Sequence, residues 1–362
     1  MIRCDALVVG GGPGGSTCAR LLRRAGWDVL VADRARFPRD KVCAGWLTPE
    51  VFDLLDLDPN EYRAAGLTLQ AITAFRTGVM GRPLLETRYP RVVSYAIRRY
   101  EFDDFLLRRA AAPVRETAVT TLRRQDGRWI VDEQIETPVV VGAGGHFCPV
   151  ARHLAGTGRP VQAVVAQEAE FRLGGHGTRV APDTPALFFC RDLEGYGWCV
   201  RKGEWVNVGL GRRDPEGFTD HVRAFMRYLD ATGTLERAAE PRWRGHAYLA
   251  AGTGPRPLVG DGVLLVGDAA GLAYPESGEG IRPAIESGRL AAEALVAAGG
   301  RTTRDDLRAY AAVLARRYPP APGRRRAIRV AGAAAGRVLL GSRAFTRHVV
   351  LDRWFLRHAA GA

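Results

Sequence analysis

Five glycines and a proline occupy residues 10–15: Gly10, Gly11, Gly12, Pro13, Gly14 and Gly15. Gly10, Gly12 and Gly15 have the spacing G-x-G-x-x-G, a phosphate-binding pattern. The first permits a tight turn, the second lets a pyrophosphate approach the backbone, and the third lets a helix pack closely on a strand. Pro13 suits the first helical position, where no N–H is required. A helix starting there presents free N–H groups and its positive dipole end to an anion, with Gly14 in the same turn. Asp33, about 20 residues on, is placed to accept hydrogen bonds from an adenosine ribose. Arg34 beside it and Lys41 in the loop beyond complete the candidate cofactor set at this end of the chain. A ligand-free glycine turn is the alternative, and the spacing does not separate one dinucleotide from another.

The elements that must position these residues are legible in the periodicity. Residues 4–9 are apolar and read as a buried strand. Residues 14–25 put Cys18, Leu21 and Leu22 on one side and Arg20, Arg23 and Arg24 on the other, which is helical spacing that Gly26 ends. Residues 28–33 are a second apolar strand closing on an acid. Strand, glycine turn, helix and strand make the first half of a doubly wound α/β sheet of Rossmann type.

A second constellation lies far downstream. Residues 264–271 run as an apolar strand into Gly267 and Asp268, followed by Gly278, Glu279, Gly280 and Ile281 and a helical stretch over 282–298. This resembles the second flavin fingerprint of glutathione-reductase-type and hydroxylase-type FAD enzymes. The resemblance implies that Asp268 binds the ribityl chain and that the helix N-terminus faces the N1/O2 edge of the flavin. A helix dipole suits the negative charge of a reduced flavin there. Residues 95–103 resemble the R-x-x-F-D segment of the same enzymes, with Arg99 as the arginine that contacts the cofactor. Residues 139–145 resemble their G-A-D-G strand end, marking Gly142. Gly144 stands where those enzymes carry aspartate and Cys148 where they carry serine, unlike an ordinary aromatic hydroxylase.

Three further segments resemble the geranylgeranyl reductase family, a neighbour of the flavin-dependent halogenases. Residues 37–45 resemble a loop that bears a cysteine near the flavin, here Cys43. Residues 195–200 resemble the Y-x-W-x-F-P motif through Tyr196 and Trp198, with Val200 and Arg201 in place of Phe-Pro. Residues 207–211 follow as in that family, and only Trp198 matches the halogenase W-x-W-x-I-P motif. The resemblance implies an FAD-dependent oxidoreductase that reduces carbon–carbon double bonds of an apolar, isoprenoid or carrier-bound substrate. Cys43, Tyr196 and Trp198 are the catalytic or pocket candidates. Arg39 and Lys41 alternate with Cys43, so an extended loop would flank the thiol with cations and lower its pKa. Core packing is the bland reading of all three. A monooxygenase or halogenase-like enzyme, and a flavin-bearing protein that docks to membrane or carrier, are the alternatives. No second glycine fingerprint serves a nicotinamide, so NAD(P)H binding transiently or a separate reductase is the expected electron donor.

Composition bounds the rest. The net charge of +13 is almost all arginine, with Lys41 and Lys202 the only lysines, a bias a GC-rich bacterial genome would produce. Nine arginines and one acid, Asp352, fall within residues 324–357 among apolar residues. This basic tail could meet a membrane surface; a packed helical tail is the simpler expectation, and no nucleic-acid signature accompanies the charge. The six cysteines lack metal or CxxC spacing, so no metal is expected. No signal peptide or membrane span is read, so the expected location is cytoplasmic, with membrane association as an option. The expected organisation is an FAD-binding domain from 1–75, 97–155 and 258–300. An inserted antiparallel-sheet substrate domain from 76–96 and 156–257 would roof the flavin, and 301–362 would form a helical tail broken around 319–323.

Overall fold

A computed structural model describes residues 1–156, 163–174, 178–235, 242–251, 256–319 and 326–357. The chain forms two compact units: Met1–Asp40, Tyr100–Gln162 and Tyr248–Ala321 make the first, and Lys41–Arg99, Ala163–Ala247 and Pro322–Ala362 the second.

The first unit is built on a six-stranded sheet in the order Val259–Gly260, Val263–Leu265, Val139–Gly142, Ala6–Val9, Val29–Asp33 and Val114–Glu116. Five of these run parallel, and only the short edge strand Val259–Gly260 is antiparallel to its neighbour. The central strands are continuous runs of buried valine, leucine and alanine, as a sheet covered on both faces requires. The register sets Val9 beside Ala32 and beside Gly142, and Gly142 beside Leu265. Gly10, Asp33, Ala143 and Val266 therefore share the carboxyl edge, where open α/β sheets place ligands. Helix Pro13–Arg24 follows the glycine turn, and Gly26 at φ +87° lies just past its end. A four-stranded sheet of Ile2–Arg3, Ile135–Thr137, Arg128–Val131 and Leu122–Gln125 completes this unit with helices Ile281–Ala298 and Arg304–Arg317.

The second unit carries a seven-stranded sheet in the order Arg244–Tyr248, Val164–Arg172, Trp205–Arg212, Gly195–Lys202, Ala186–Phe189, Ala74–Val79 and Leu85–Arg88. It is largely antiparallel as expected, but Ala74–Val79 pairs parallel with Ala186–Phe189. Those strands lie far apart in sequence, so no hairpin dictates their direction. One sheet face packs under helix Phe218–Ala231, with Phe188, Val208 and Phe225. The other buries Phe75, Trp198 and Val200 with Val350, Leu351 and Phe355 from the C-terminal segment.

The domain boundaries differ from those expected. Residues 41–75 group with the second unit because Trp46–Leu47 and Leu69–Ile72 pair with Ser94–Ile97 in one three-stranded sheet. The tail divides: Arg304–Arg317 belongs to the first unit, and 322–362 to the second. The tail is helical, with a π-type stretch over Thr346–Phe355; most of the expected break at 319–323 lies outside the described residues.

Candidate functional site

In the first unit the two glycine motifs, far apart in sequence, are brought together. Helix Pro13–Arg24 begins after Gly12 and helix Ile281–Ala298 after Gly280, and neither glycine offers a side chain to cap the first turn. The helices cross at glycines. A Cβ on Gly288 would stand 2.2 Å from the carbonyl oxygen of Gly14, and one on Gly14 would stand 2.8 Å from that of Ala284. Gly15 is equally constrained, since its Cβ would lie 1.9 Å from the carbonyl oxygen of Gly10. Gly10 itself has φ +115°.

Asp33 ends the second parallel strand. Its Oδ2 accepts the Gly11 N–H at 2.8 Å and its Oδ1 the Ala35 N–H at 2.9 Å. A carboxylate has about four acceptor positions, so two donors leave room for ribose hydroxyls. Arg34 is exposed. Arg39, assigned above only as a neighbour of Cys43, instead serves the glycine turn. Its guanidinium lies 3.5 Å from where a Gly12 Cβ would be, over the Phe37 ring, and ion-pairs at 3.2 Å with fully buried Asp103. This places a fixed cation beside the glycine turn, which sequence reasoning did not foresee. The arginine spacing was visible, but not its direction.

At the second motif, Gly267 at φ +57° opens a short 3₁₀ turn, and its N–H donates to Ser287 Oγ at 2.9 Å. Asp268 follows, with its Oδ1 3.0 Å from the position of a Gly280 Cβ, so the aspartate stands at the helix start. Gly278 at φ +70° leaves space that the Tyr248 hydroxyl closes. The Glu279 carbonyl accepts from Tyr274 N–H, and Ile281 is buried at the first helical position. Arg256 donates to the Ala269 carbonyl at 2.8 Å and was not foreseen. Gly142 cannot carry a side chain, because Leu265 and Val150 fill that space. Arg99 is buried where helix Arg99–Arg109 begins. A turn free of side chains, two uncapped helix starts and an acid at the strand end fit the dinucleotide and ribityl parts of FAD.

The second unit holds Cys43, Tyr196 and Trp198. Of the six cysteines only Cys43 is not buried. Burial pushes Cys18 and Cys199 up to about 12 and raises Cys4, Cys148 and Cys190. The expected flanking cations are engaged elsewhere: Arg39 with Asp103, and Lys41 with His246, whose Nε2 lies 2.8 Å from Nζ. What surrounds the Cys43 peptide is a buried polar cluster. Asn207 Nδ2 donates to its carbonyl at 3.4 Å and to Glu168 Oε2 at 3.2 Å, and the Gly45 N–H points to its sulfur at 3.3 Å.

Asn207 is fully buried and also takes the Trp198 indole N–H on Oδ1 at 2.7 Å. Trp198 can lie there because residue 209, on the neighbouring strand, is glycine; a Cβ would come within 2.2 Å of the indole. Fully buried Lys202 donates to Glu170 Oε2 at 2.7 Å, and Arg98 to Glu170 Oε1 at 2.9 Å. Burial alone would raise Glu170, but Lys202 and Arg98 bring it below the usual carboxylate range. Glu168 goes the other way. Burial lifts it to about 7, and the Lys202 charge and the bond from Asn207 only partly oppose that. Tyr196 is half-buried and lies edge-on to Phe355 at 5.4 Å, with Trp46 stacked on Phe75 at 4.8 Å in the same layer. Sequence reasoning named Cys43 and Trp198 but missed Glu168, Glu170 and Lys202. Nothing in the local sequence marks them, since their partners come from other strands and from the loop at residue 43.

Residues 3–317 match the FAD-binding domain family. This chain belongs to that family. It is an FAD-dependent oxidoreductase. It is 31% identical over 342 residues to the menaquinone reductase of Mycobacterium tuberculosis, spanning 87% of this chain and 80% of that one. The geranylgeranyl diphosphate reductase of Rhodobacter capsulatus is 29% identical over 317 residues, covering 82% and 76%. A geranylgeranyl bacteriochlorophyll reductase-like protein of Thermoplasma acidophilum shares the fold, with a TM-score of 0.74 at 20% identity over 94% of this chain and 88% of that one. Among the described residues no cluster of His, Cys, Asp or Glu could hold a metal ion, and no helix is long and apolar enough to cross a membrane.

Proposed function

We propose that this chain reduces carbon–carbon double bonds in a polyprenyl chain. The observation that carries the reading is the fixed Cys43: the one thiol of the six that is not buried, its carbonyl held by buried Asn207, in the aromatic unit rather than the FAD-binding one. The named relatives support the substrate class. Geranylgeranyl diphosphate and menaquinone differ in their head groups but share a polyprenyl chain. Reduced FAD supplies a hydride to an alkene carbon. In this proposal Gly10, Gly12, Pro13, Gly14, Gly15 and Asp33 hold the adenosine and pyrophosphate, with Arg39 as their cation. Asp268, Gly267, Gly278, Glu279, Gly280 and Ile281 hold the ribityl and flavin. Arg99, Gly142, Arg34 and Lys41 are supporting cofactor residues.

Cys43 gives its thiol proton to the carbon that does not receive hydride, and Tyr196 and Trp198 hold the chain by apolar contact. Electrons come from NAD(P)H bound transiently or from a separate reductase. We expect the substrate to be met at a lipid surface by residues 337–343, where Val338 and Leu339 are exposed with Arg337 and Arg343. Loss of binding to anionic vesicles in a Val338→Ser, Leu339→Ser variant checks this.

The test is turnover under nitrogen. Flavin-loaded protein, reduced chemically, should saturate geranylgeranyl diphosphate or the menaquinone side chain without oxygen, and Cys43→Ser should keep the flavin but lose that turnover. Turnover that needs oxygen, giving a hydroxylated or halogenated product, would replace this reading with a monooxygenase or halogenase.

A further inference from the structure

We propose that the second unit carries a binding site for a compact free diphosphate, in a cavity on the sheet face away from Trp198. The site is separate from Cys43 and from the double-bond chemistry, and does not rest on either.

The cavity has a volume of about 210 Å³, and the side chains of Arg76, Arg82 and Arg179 line it. All three belong to the second unit. Strand pairing sets Arg76 beside Ala186, so its side chain shares a sheet face with Ala186 and Phe188, the face that packs under helix Phe218–Ala231. Phe75 and Trp198 are buried on the opposite face. Arg82 lies in the turn between the paired strands Ala74–Val79 and Leu85–Arg88. Arg179 comes from the segment before Ala186–Phe189. Its backbone N–H donates to the Thr234 carbonyl at 3.2 Å and its Nη1 to the Thr232 carbonyl at 3.4 Å. Gly233, at φ +62°, leaves room for it: a Cβ there would stand 3.1 Å from the guanidinium carbon.

Among the described residues no acid lines the cavity, and none of these arginines has an ion pair. Acids of the neighbouring segments are engaged elsewhere. Glu86, opposite Arg76 in the hairpin, pairs with Arg88 at 2.9 Å. Asp183 accepts the Thr73 and Thr184 hydroxyls, each at 2.8 Å. Three cations around one space repel one another, and an anion between them removes that cost. Guanidinium groups suit phosphoryl oxygens, which they meet with paired N–H donors. One phosphate monoester carries about −1.5 to −2 at neutral pH, so three guanidiniums are balanced better by two linked phosphoryl groups than by one. Volume sets the other bound. Sites for whole organic ligands span roughly 300–1,000 Å³, so this one suits a diphosphate rather than an entire nucleotide.

The experiment is calorimetric titration of inorganic diphosphate into FAD-saturated protein at about 0.15 M salt, where general attraction to the net charge is screened. One equivalent should bind and leave the flavin spectrum unchanged, with inorganic phosphate binding more weakly. Arg76→Ala and Arg179→Ala should each weaken binding about tenfold or more, by the loss of charge-assisted bonds, and Arg179→Lys should recover part. Arg308→Ala, which removes an exposed charge from helix Arg304–Arg317 in the first unit, should change nothing. Arg82→Ala, in an exposed turn, carries the test if the other variants do not retain FAD. No binding, binding that the cavity variants leave intact, or an equal loss in Arg308→Ala would overturn the site. A polyprenyl diphosphate that binds there tenfold more tightly than inorganic diphosphate would overturn the free ligand and make the cavity a head-group site. None of these readings depends on turnover, so a failure here is distinct from a failure of the Cys43→Ser test.

Discussion

Alanine at Gly288 should push apart the two helices that carry the flavin motifs. Its new Cβ would stand 2.2 Å from the carbonyl oxygen of Gly14 and 3.0 Å from the carbon, where ordinary contact begins near 3.4 Å. Both atoms are backbone, so no rotamer change relieves the overlap, and the helices must separate by about 1 Å. Two effects oppose each other. Alanine is favoured over glycine in a helix interior by about 1 kcal/mol. Overpacking a close contact costs about 1–3 kcal/mol, and more when backbone must move. The overlap is large and rigid, so overpacking should win, with a net loss of about 1–2 kcal/mol. The displaced helix starts should also weaken FAD binding by about tenfold, equivalent to about 1.4 kcal/mol. Urea unfolding of the apoprotein and a flavin-fluorescence titration measure the two effects. The control is Gly332→Ala in helix Arg326–Leu339, where a Cβ meets nothing within 4 Å. It should gain up to about 1 kcal/mol and leave FAD affinity alone. Native stability and native FAD affinity in Gly288→Ala would refute the claim that this glycine crossing sets the cofactor cradle.

Three other substitutions follow from the geometry. Arg39→Ala should lower FAD affinity by about tenfold or more, as a charge-assisted bond worth about 1.5–3 kcal/mol goes, and Arg39→Lys should recover part of it; equilibrium titration decides. Asp268→Ala should weaken FAD retention by about 1–3 kcal/mol, read by dialysis against FAD. Glu168→Gln should change how stability depends on pH. The folded pKa of about 7 lies above the usual 4.5, so the native protein binds the extra proton, and its stability falls as pH rises through that window. The variant lacks this fall, so from about pH 4 to about pH 8 it should gain about 3 kcal/mol on the native protein, measured by urea unfolding at both ends.

Legibility in the sequence followed physical locality. The glycine turn, Asp33 and Asp268 were readable because a phosphate cradle needs particular residue types at short, fixed spacing. Valine-rich runs announced the parallel strands, and Pro13 and Gly26 the ends of the first helix. What failed depended on partners distant in the chain. The division at residue 40 rather than 75 arises because Trp46–Leu47 pairs with Ser94–Ile97, which no local pattern encodes. Arg39 and Lys41 alternate with Cys43, and their partners Asp103 and His246 lie far off in the chain, where no local spacing points to them. Glu168, Glu170 and Lys202 were not singled out, because what brings them together is strand pairing and the loop at residue 43, which no local pattern encodes.

The proposed reduction is tested most directly by stoichiometry under nitrogen. Purified protein with chemically reduced FAD is mixed with a polyprenyl diphosphate, and flavin reoxidation is followed alongside the product mass. The expected result is one product molecule, heavier by two hydrogens, for each flavin reoxidised, with no oxygen present. A flavin that stays reduced until air is admitted, with the polyprenyl chain unchanged or oxygenated, would contradict it.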